Sequence, residues 1–242
     1  MKTALWRYMI DLHAGEGGRV DAVIFDCDGV LVDSEIIGLE ESAAFLRTHG
    51  LDWSPTELIE QFSGMRDDQL FAVLTEAYVE ANGAPPPKDF FEELYNQRRL
   101  SPTPLEAIAG AETAVAGLKG PVAVASSSAT DRLETKLKHT GLWALFEPHV
   151  YSADRVDQGK PHPDIYLYTA DKLGQTPAQC LVVEDSVNGV RSGVEAGMSV
   201  CGFTGGGHSY EGHAAQLLEA GAAWIARDFA QFTARLKAQD SH

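Results

Sequence analysis

Val20-Asp21-Ala22-Val23-Ile24-Phe25-Asp26-Cys27-Asp28-Gly29-Val30-Leu31-Val32-Asp33-Ser34 is the stretch on which the reading of this chain turns. Val20 to Phe25 is short, apolar and bounded by turn signals, the pattern of a buried strand. It runs into a loop rich in carboxylates, Asp26 to Asp33. Asp26 and Asp28 repel each other there unless a cation or a shared proton intervenes. A hard divalent cation held by oxygens is one answer, and a chance acidic turn is the other. A calcium loop is excluded by spacing, because its glycine comes sixth and Gly29 comes fourth.

Outward from this stretch, the pattern is helical to about Leu100. Helices are expected over Gly38 to His49, Pro55 to Gln61, Arg66 to Ala81 and Lys88 to Leu100. Phe71, Leu74, Tyr78 and Val79 recur at helical spacing and are read as core. Pro85-Pro86-Pro87 breaks two of these helices apart, and Pro102 and Pro104 mark the end of the block. Strands then alternate with helices: strands at Pro121 to Ala125, His149 to Tyr151, Cys180 to Val183, Ser199 to Phe203 and Ala223 to Ile225, each followed by a helical stretch. That rhythm predicts an α/β fold, a three-layer Rossmann-like parallel sheet. Ligands of such sheets gather beyond the carboxyl ends of the strands. An all-helical block inserted after the first strand sits beside that place.

The other strand ends carry polar clusters. Ala125-Ser126-Ser127-Ser128 opens a helix, either as a phosphate cradle of hydroxyls and N–H groups or as an ordinary N-cap run. Gly159-Lys160-Pro161-His162-Pro163-Asp164 places Lys160 before a proline-stiffened helix, as a fixed cation or a surface lysine. Val182-Val183-Glu184-Asp185-Ser186 ends a strand in a second acid pair, which again suits a metal. Dinucleotide binding is a poor fit, since Gly202-Phe203-Thr204-Gly205-Gly206-Gly207 lacks the G-x-G-x-x-G spacing.

The bulk properties narrow the field. The chain has 242 residues, with 19 Lys and Arg against 35 Asp and Glu, a net charge of −16. Such a chain repels nucleic acid and anionic membrane surfaces. An acidic protein that binds phosphate needs a metal ion and a few placed cations. Cys27, Cys180 and Cys201 form no CxxC pair and lie in apolar runs, so they are read as buried free thiols in a reducing cytoplasm. No run approaches the roughly 20 apolar residues that span a bilayer. Residues 1–19 are read as an extension ending in a Gly15-Glu16-Gly17-Gly18 linker. His208 and His213 fall in a polar loop, and no metal role is assigned to them.

Four clusters in one order on one sheet edge resemble the haloacid dehalogenase-like superfamily, which is mainly phosphatases. Asp26-x-Asp28, Ser126, Lys160 and Glu184-Asp185 match its four motifs, and the resemblance runs from Val20 to about Lys237. Phe25 to Glu35 and Glu184-Asp185-Ser186-Val187-Asn188-Gly189-Val190 look like the branch of β-phosphoglucomutase and its sugar-phosphate phosphatase relatives. The resemblance implies a core of residues 20–34 and 103–242 and a small helical cap of residues 35–102. It implies that Asp26 attacks phosphorus to form an acyl-phosphate, and that Asp28 protonates the leaving alcohol and then deprotonates water. It also implies that Mg²⁺ is held by Asp26, the Asp28 carbonyl and Asp185, with Glu184, while Ser126, Ser127 and Lys160 hold the phosphoryl oxygens. An acid at position 28 speaks against halide chemistry.

Two departures favour phosphatase over mutase. Gly38 stands where the mutases resembled here carry a histidine. Their distal-phosphate arginine falls one residue early, in Gly64-Met65-Arg66-Asp67. A cytoplasmic Mg²⁺-dependent phosphatase of a small sugar, sugar-acid or polyol phosphate is therefore expected. A phosphosugar mutase and a catalytically idle binding protein are the alternatives. On this reading the core holds only the phosphoryl group, and the cap, through Arg66 and Arg99, selects the rest of the substrate and closes over it.

Overall fold

The computed structural model describes residues 20–62, 65 and 67–239; the N-terminal extension and Arg66 lie outside them. Six strands form one sheet: β1 (Ala22–Phe25), β2 (Val122–Ser126), β3 (Val150–Ser152), β4 (Cys180–Glu184), β5 (Ser199–Phe203) and β6 (Trp224–Ala226). Their order is β3-β2-β1-β4-β5-β6, and every neighbouring pair is parallel. The apolar runs explain this, because strands buried on both faces suit a parallel sheet covered by helices. The chain runs from β1 through β2 to β3 on one side and then crosses to β4 on the other, so the switch point lies at the carboxyl end of β1. In register, Phe25 faces Val124 on one side and Val183 on the other, which brings the three strand ends level.

The helical insert comprises α1 (Leu39–Thr48), α2 (Pro55–Phe62), α3 (Asp67–Asn82) and α4 (Phe90–Arg99). A reciprocal Ser54–Glu57 box starts α2, with Ser54 N donating to Glu57 Oε2 at 2.8 Å and Glu57 N to Ser54 Oγ at 3.3 Å. The insert buries a cluster of its own around Leu46, Leu58, Leu74, Phe90 and Leu94. The chain leaving β1 and the chain returning from α4 run side by side. Asp33 N donates to Glu106 O at 3.0 Å and Ile108 N to Leu31 O at 2.9 Å.

The remaining helices are α5 (Ala111–Ala116), α6 (Thr130–His139), α7 (Trp143–Phe146), α8 (Asp164–Leu173), α9 (Val187–Glu195), α10 (His213–Glu219) and α11 (Phe229–Gln239). Successive residues of β1 feed opposite layers, as a two-residue repeat requires. Val23 and Phe25 pack with Ile108, Leu133, Leu137, Phe146, Phe229 and Phe232. Ala22 and Ile24 pack with Ile165, Tyr166, Val190 and Leu217 on the other face. The three-layer α/β fold is thus the expected one, with elements displaced by a residue or two at their ends.

The structure corrects the reading in two places. Helices α5 and α7 were not anticipated, since each is too short to show a helical repeat. Val79 is 42% exposed rather than core, while Leu74 is 1% exposed. Helix α3 covers its neighbours with only part of its circumference, and Val79 lies off that face.

Candidate active site

The ends of β1, β2 and β4 converge, and each contributes what its sequence promised. Asp26 is 6% exposed, Ser126 and Glu184 are fully buried, and Asp185 is 3% exposed. One carboxylate oxygen from each of Asp26, Glu184 and Asp185 lies within 4.8 Å of the others. Three buried carboxylates this close are unstable without positive charge between them. Lys160, 1% exposed, provides part of it. Its Nζ donates to Asp26 Oδ1 at 2.8 Å, Glu184 Oε1 at 2.6 Å and Ala125 O at 3.1 Å. Lys160 is therefore no surface lysine.

Charge states follow from these contacts. Burial works against the Lys160 ammonium, but Asp26 and Glu184 outweigh it and hold its pKa well above the ordinary lysine value. Burial pushes the Asp26 carboxyl well up, with Glu184, Asp185 and Asp28 adding to the rise and Lys160 opposing it. Burial lifts Asp185 to about 6 against the pull of His208. The anionic cluster is short of cations, and its donor set is all oxygen, which fits a hard divalent ion.

Glu184 is the most committed of the three acids. Besides Lys160, Oε1 accepts from Tyr166 Oη at 2.8 Å, and Oε2 accepts from Ser186 N at 3.0 Å and Ser186 Oγ at 3.1 Å. Ser186 also caps α9 by accepting from Gly189 N at 3.0 Å. Glycine is required at 189 because a Cβ there would lie 1.7 Å from Glu184 Oε1. Gly→Ala within a helix ordinarily stabilises. Gly189→Ala is expected instead to destabilise by about 1–3 kcal/mol through overpacking. Urea unfolding checks this, and an unchanged or raised midpoint would show that Glu184 swings aside freely.

Asp28 has a different environment. Its Oδ1 accepts from Lys136 Nζ and Ser34 Oγ, and its Oδ2 accepts from Ser128 Oγ at 2.7 Å. Burial alone would raise its carboxyl, but Lys136, with Ser34 and Ser128, holds it well below the usual carboxylate range. Ser126 Oγ accepts from Ser128 N at 3.1 Å and lies 3.5 Å from Asp28 Oδ2. Ser127 stands in the wall of the same cavity.

That cavity, of about 630 Å³, lies between the strand ends and the insert. Arg98 and Arg99 of α4 line it; Arg98 is half-buried and Arg99 exposed. Arg132 and Lys136 also line it, and both come from α6. A helix outside the insert thus turns one face into this cavity alongside α4.

Sequence reading missed several residues. His208 and His213, expected in a polar loop, are buried. His213 Nε2 donates to the Asp185 carbonyl at 2.6 Å, and His208 Nε2 lies 2.8 Å from Asp185 Oδ2. Burial lowers His208, and Asp185 overrides it, bringing the imidazole to about 9. Lys136 and Tyr166 were also missed, and Ser128 was read only as part of the cradle run and not as a partner of Asp28.

Residues 20–197 match the family model of haloacid dehalogenase-like hydrolases. The 6-phosphogluconate phosphatase of Escherichia coli K12 is 29% identical over 193 residues, covering 79% of this chain and 86% of that one. Hexitol phosphatase A of the same organism is 32% identical over 189 residues, covering 75% and 82%. A crystal structure of a HAD family hydrolase from Deinococcus radiodurans R1, with bound phosphate and sodium, superposes with a TM-score of 0.75 at 36% identity, covering 93% of this chain and 98% of that one.

Proposed function

The chain belongs to the haloacid dehalogenase-like hydrolases, and from that premise we propose that it is a Mg²⁺-dependent phosphatase acting through an aspartyl-phosphate on Asp26. The observation that carries this reading is the convergence of Asp26, Glu184 and Asp185 within 4.8 Å at the strand ends, with Lys160 between them. In an idle binding protein such a cluster would only weaken the fold.

In the first half-reaction an Asp26 oxygen attacks phosphorus, the ester P–O bond breaks, and the leaving alkoxide takes a proton from Asp28. In the second, Asp28 as carboxylate removes a proton from water, whose oxygen attacks phosphorus. The acyl-phosphate bond breaks, releasing inorganic phosphate and the Asp26 carboxylate. Lys136, with Ser34 and Ser128, favours the carboxylate of Asp28, the form the second half needs, so the proton that Asp28 gives in the first half is one it takes up as the phosphate ester binds. Ser126, Ser127 and Lys160 hold phosphoryl oxygens as charge develops. Asp26 and Asp185 would hold magnesium together with the Asp28 carbonyl, and the ion would offset repulsion between nucleophile and substrate. The commitments of Glu184 make it chiefly the anchor of Lys160.

Two observations favour water over a sugar hydroxyl as acceptor. A Cβ at Gly38 would lie 2.5 Å from Arg98 Cα, so the space a mutase histidine needs is filled. Asp67, whose Oδ2 accepts from Arg132, stands where the mutases resembled here place an arginine. Six-carbon acid and polyol phosphates are the substrate class, in keeping with relatives named for 6-phosphogluconate and hexitol. Residues 35–102 serve as the cap, which closes over the substrate and brings Arg99 to its rim. No described helix is long and apolar enough to cross a membrane. The three cysteines are buried and free, which suits a cytoplasmic enzyme.

The test is turnover of p-nitrophenyl phosphate with and without metal. EDTA is expected to lower the rate by roughly 1000-fold, consistent with several kcal/mol of charge stabilisation, and added Mg²⁺ to restore it. A rate indifferent to EDTA would overturn the metal's role, and no turnover under either condition the phosphatase reading.

A further inference from the structure

Arg132 is a residue of the core that reaches into the substrate cavity and is held there from the insert. It sits in the first turn of α6, directly after the Ser126–Ser128 run that faces the phosphoryl site. Its Nη2 donates to Asp67 Oδ2, at the start of α3. Tyr95 of α4 donates from its hydroxyl to Asp67 Oδ1 at 2.7 Å, and the Arg132 guanidinium lies 5.5 Å from the centre of the Tyr95 ring. The planar group is thus fixed at one edge by a carboxylate and on one face by an aromatic ring.

A merely structural ion pair is the competing reading. The Arg132 and Asp67 side chains are 41% and 43% exposed, and pairs that open to solvent contribute little to stability. Both nevertheless line the cavity, together with Tyr95. A guanidinium has five N–H donors. Asp67 and the Tyr95 hydroxyl engage Arg132, and with five N–H groups it keeps donors for a ligand. The nearest chemistry is Asp28 and Ser128, reached one turn along α6 through Lys136. A phosphate ester seated on Asp26 and Asp28 has this cavity for its organic part, and Arg132 stands in the cavity wall.

We propose that Arg132 is a specificity-determining residue, oriented by Asp67 and Tyr95, that binds hydroxyl or carboxylate oxygens of the substrate remote from the phosphoryl group. This rests on the phosphatase reading above. It adds that discrimination is shared across the boundary: the core supplies the donor, and the insert sets its position.

The test compares Arg132→Gln, Arg132→Lys, Asp67→Asn and Tyr95→Phe on acetyl phosphate, 6-phosphogluconate and sorbitol 6-phosphate. Arg132→Gln is expected to raise KM for the better six-carbon ester by about 10–100-fold, as loss of a charged hydrogen bond does, with a loss on acetyl phosphate at least tenfold smaller. Asp67→Asn and Tyr95→Phe should raise the same KM by a smaller factor. Adding Asp67→Asn to Arg132→Gln should cost nothing further, because Asp67 acts through Arg132. Arg132→Lys should recover only part, lacking the planar fork. A larger loss on 6-phosphogluconate than on sorbitol 6-phosphate identifies the carboxylate as the group read, and equal losses identify the hydroxyls. Equal losses on all three substrates, or none on any, would overturn the proposal. So would a wild type that hydrolyses acetyl phosphate and neither ester, with the phosphatase reading left standing. A wild type inactive on all three removes that reading itself.

Discussion

Asp26→Asn abolishes phosphate ester turnover, by at least about 10³-fold, as removal of a covalent nucleophile does. The amide cannot form the acyl-phosphate, yet it keeps the shape of the side chain and an oxygen for the Lys160 ammonium 2.8 Å away. The variant should fold at least as well as the wild type in EDTA at neutral pH. Burial and three neighbouring carboxylates raise the Asp26 pKa in the fold. A folded-state pKa above the unfolded value makes the anion a cost at neutral pH, and a neutral replacement removes that cost. Steady-state rates and thermal melts of the same preparation check both halves. Activity above a few per cent in a variant with an unchanged melt would sink the nucleophile assignment.

The second large effect is expected at Lys160. Lys160→Met keeps the length of the side chain and takes the only direct cation from Asp26 and Glu184 among the described residues. Breaking a buried pair from one side leaves uncompensated charge, at a cost of about 3–5 kcal/mol. Urea unfolding in EDTA should show a loss of that order. Magnesium should return part of it, since a divalent ion relieves the same repulsion. Adding Glu184→Gln should also recover part, because it removes one of the stranded charges. Turnover should fall by at least about 100-fold, the usual consequence of losing a group that stabilises developing charge. Wild-type stability in EDTA would mean that the buried acids share protons rather than depend on Lys160.

The sheet was legible because its determinants are local. Each strand is an apolar run that stops at a polar cluster, and parallel pairing aligns those stops at one edge. Asp26, Ser126, Glu184 and Asp185 were found for the same reason: each stands at or beside a strand end, while Lys160 was marked by the proline-stiffened helix start that follows it. Lys136 was not, because a lysine in an amphipathic helix looks the same whether it faces water or Asp28. The roll of α6 against β3 decides which, and that is set by Leu133 and Leu137 packing under the sheet. His208 and His213 were hidden by their glycine-rich, polar surroundings, which read as surface until the loop folds over the end of β4. The Arg132–Asp67 pair depends on how the insert sits on the core, and no periodicity within either segment records that. Arg66, proposed from sequence as a cap contact, lies outside the described residues.

The central position of β1 also sets an order of events in the making of the protein. Its register partners are Val122 to Val124 on one side and Cys180 to Val183 on the other. A ribosome working at about 5–20 residues per second leaves Ala22–Phe25 without its β4 partner for roughly 10–30 s. During that interval the helices of the insert, whose apolar cluster draws only on residues 39–94, have all their partners at hand. The strand that carries Asp26 is therefore made before both of its partners and is flanked on both sides only when β4 emerges. Its exposed Ala-Val-Ile-Phe run is the point at which a nascent chain of this topology most needs shielding from its neighbours.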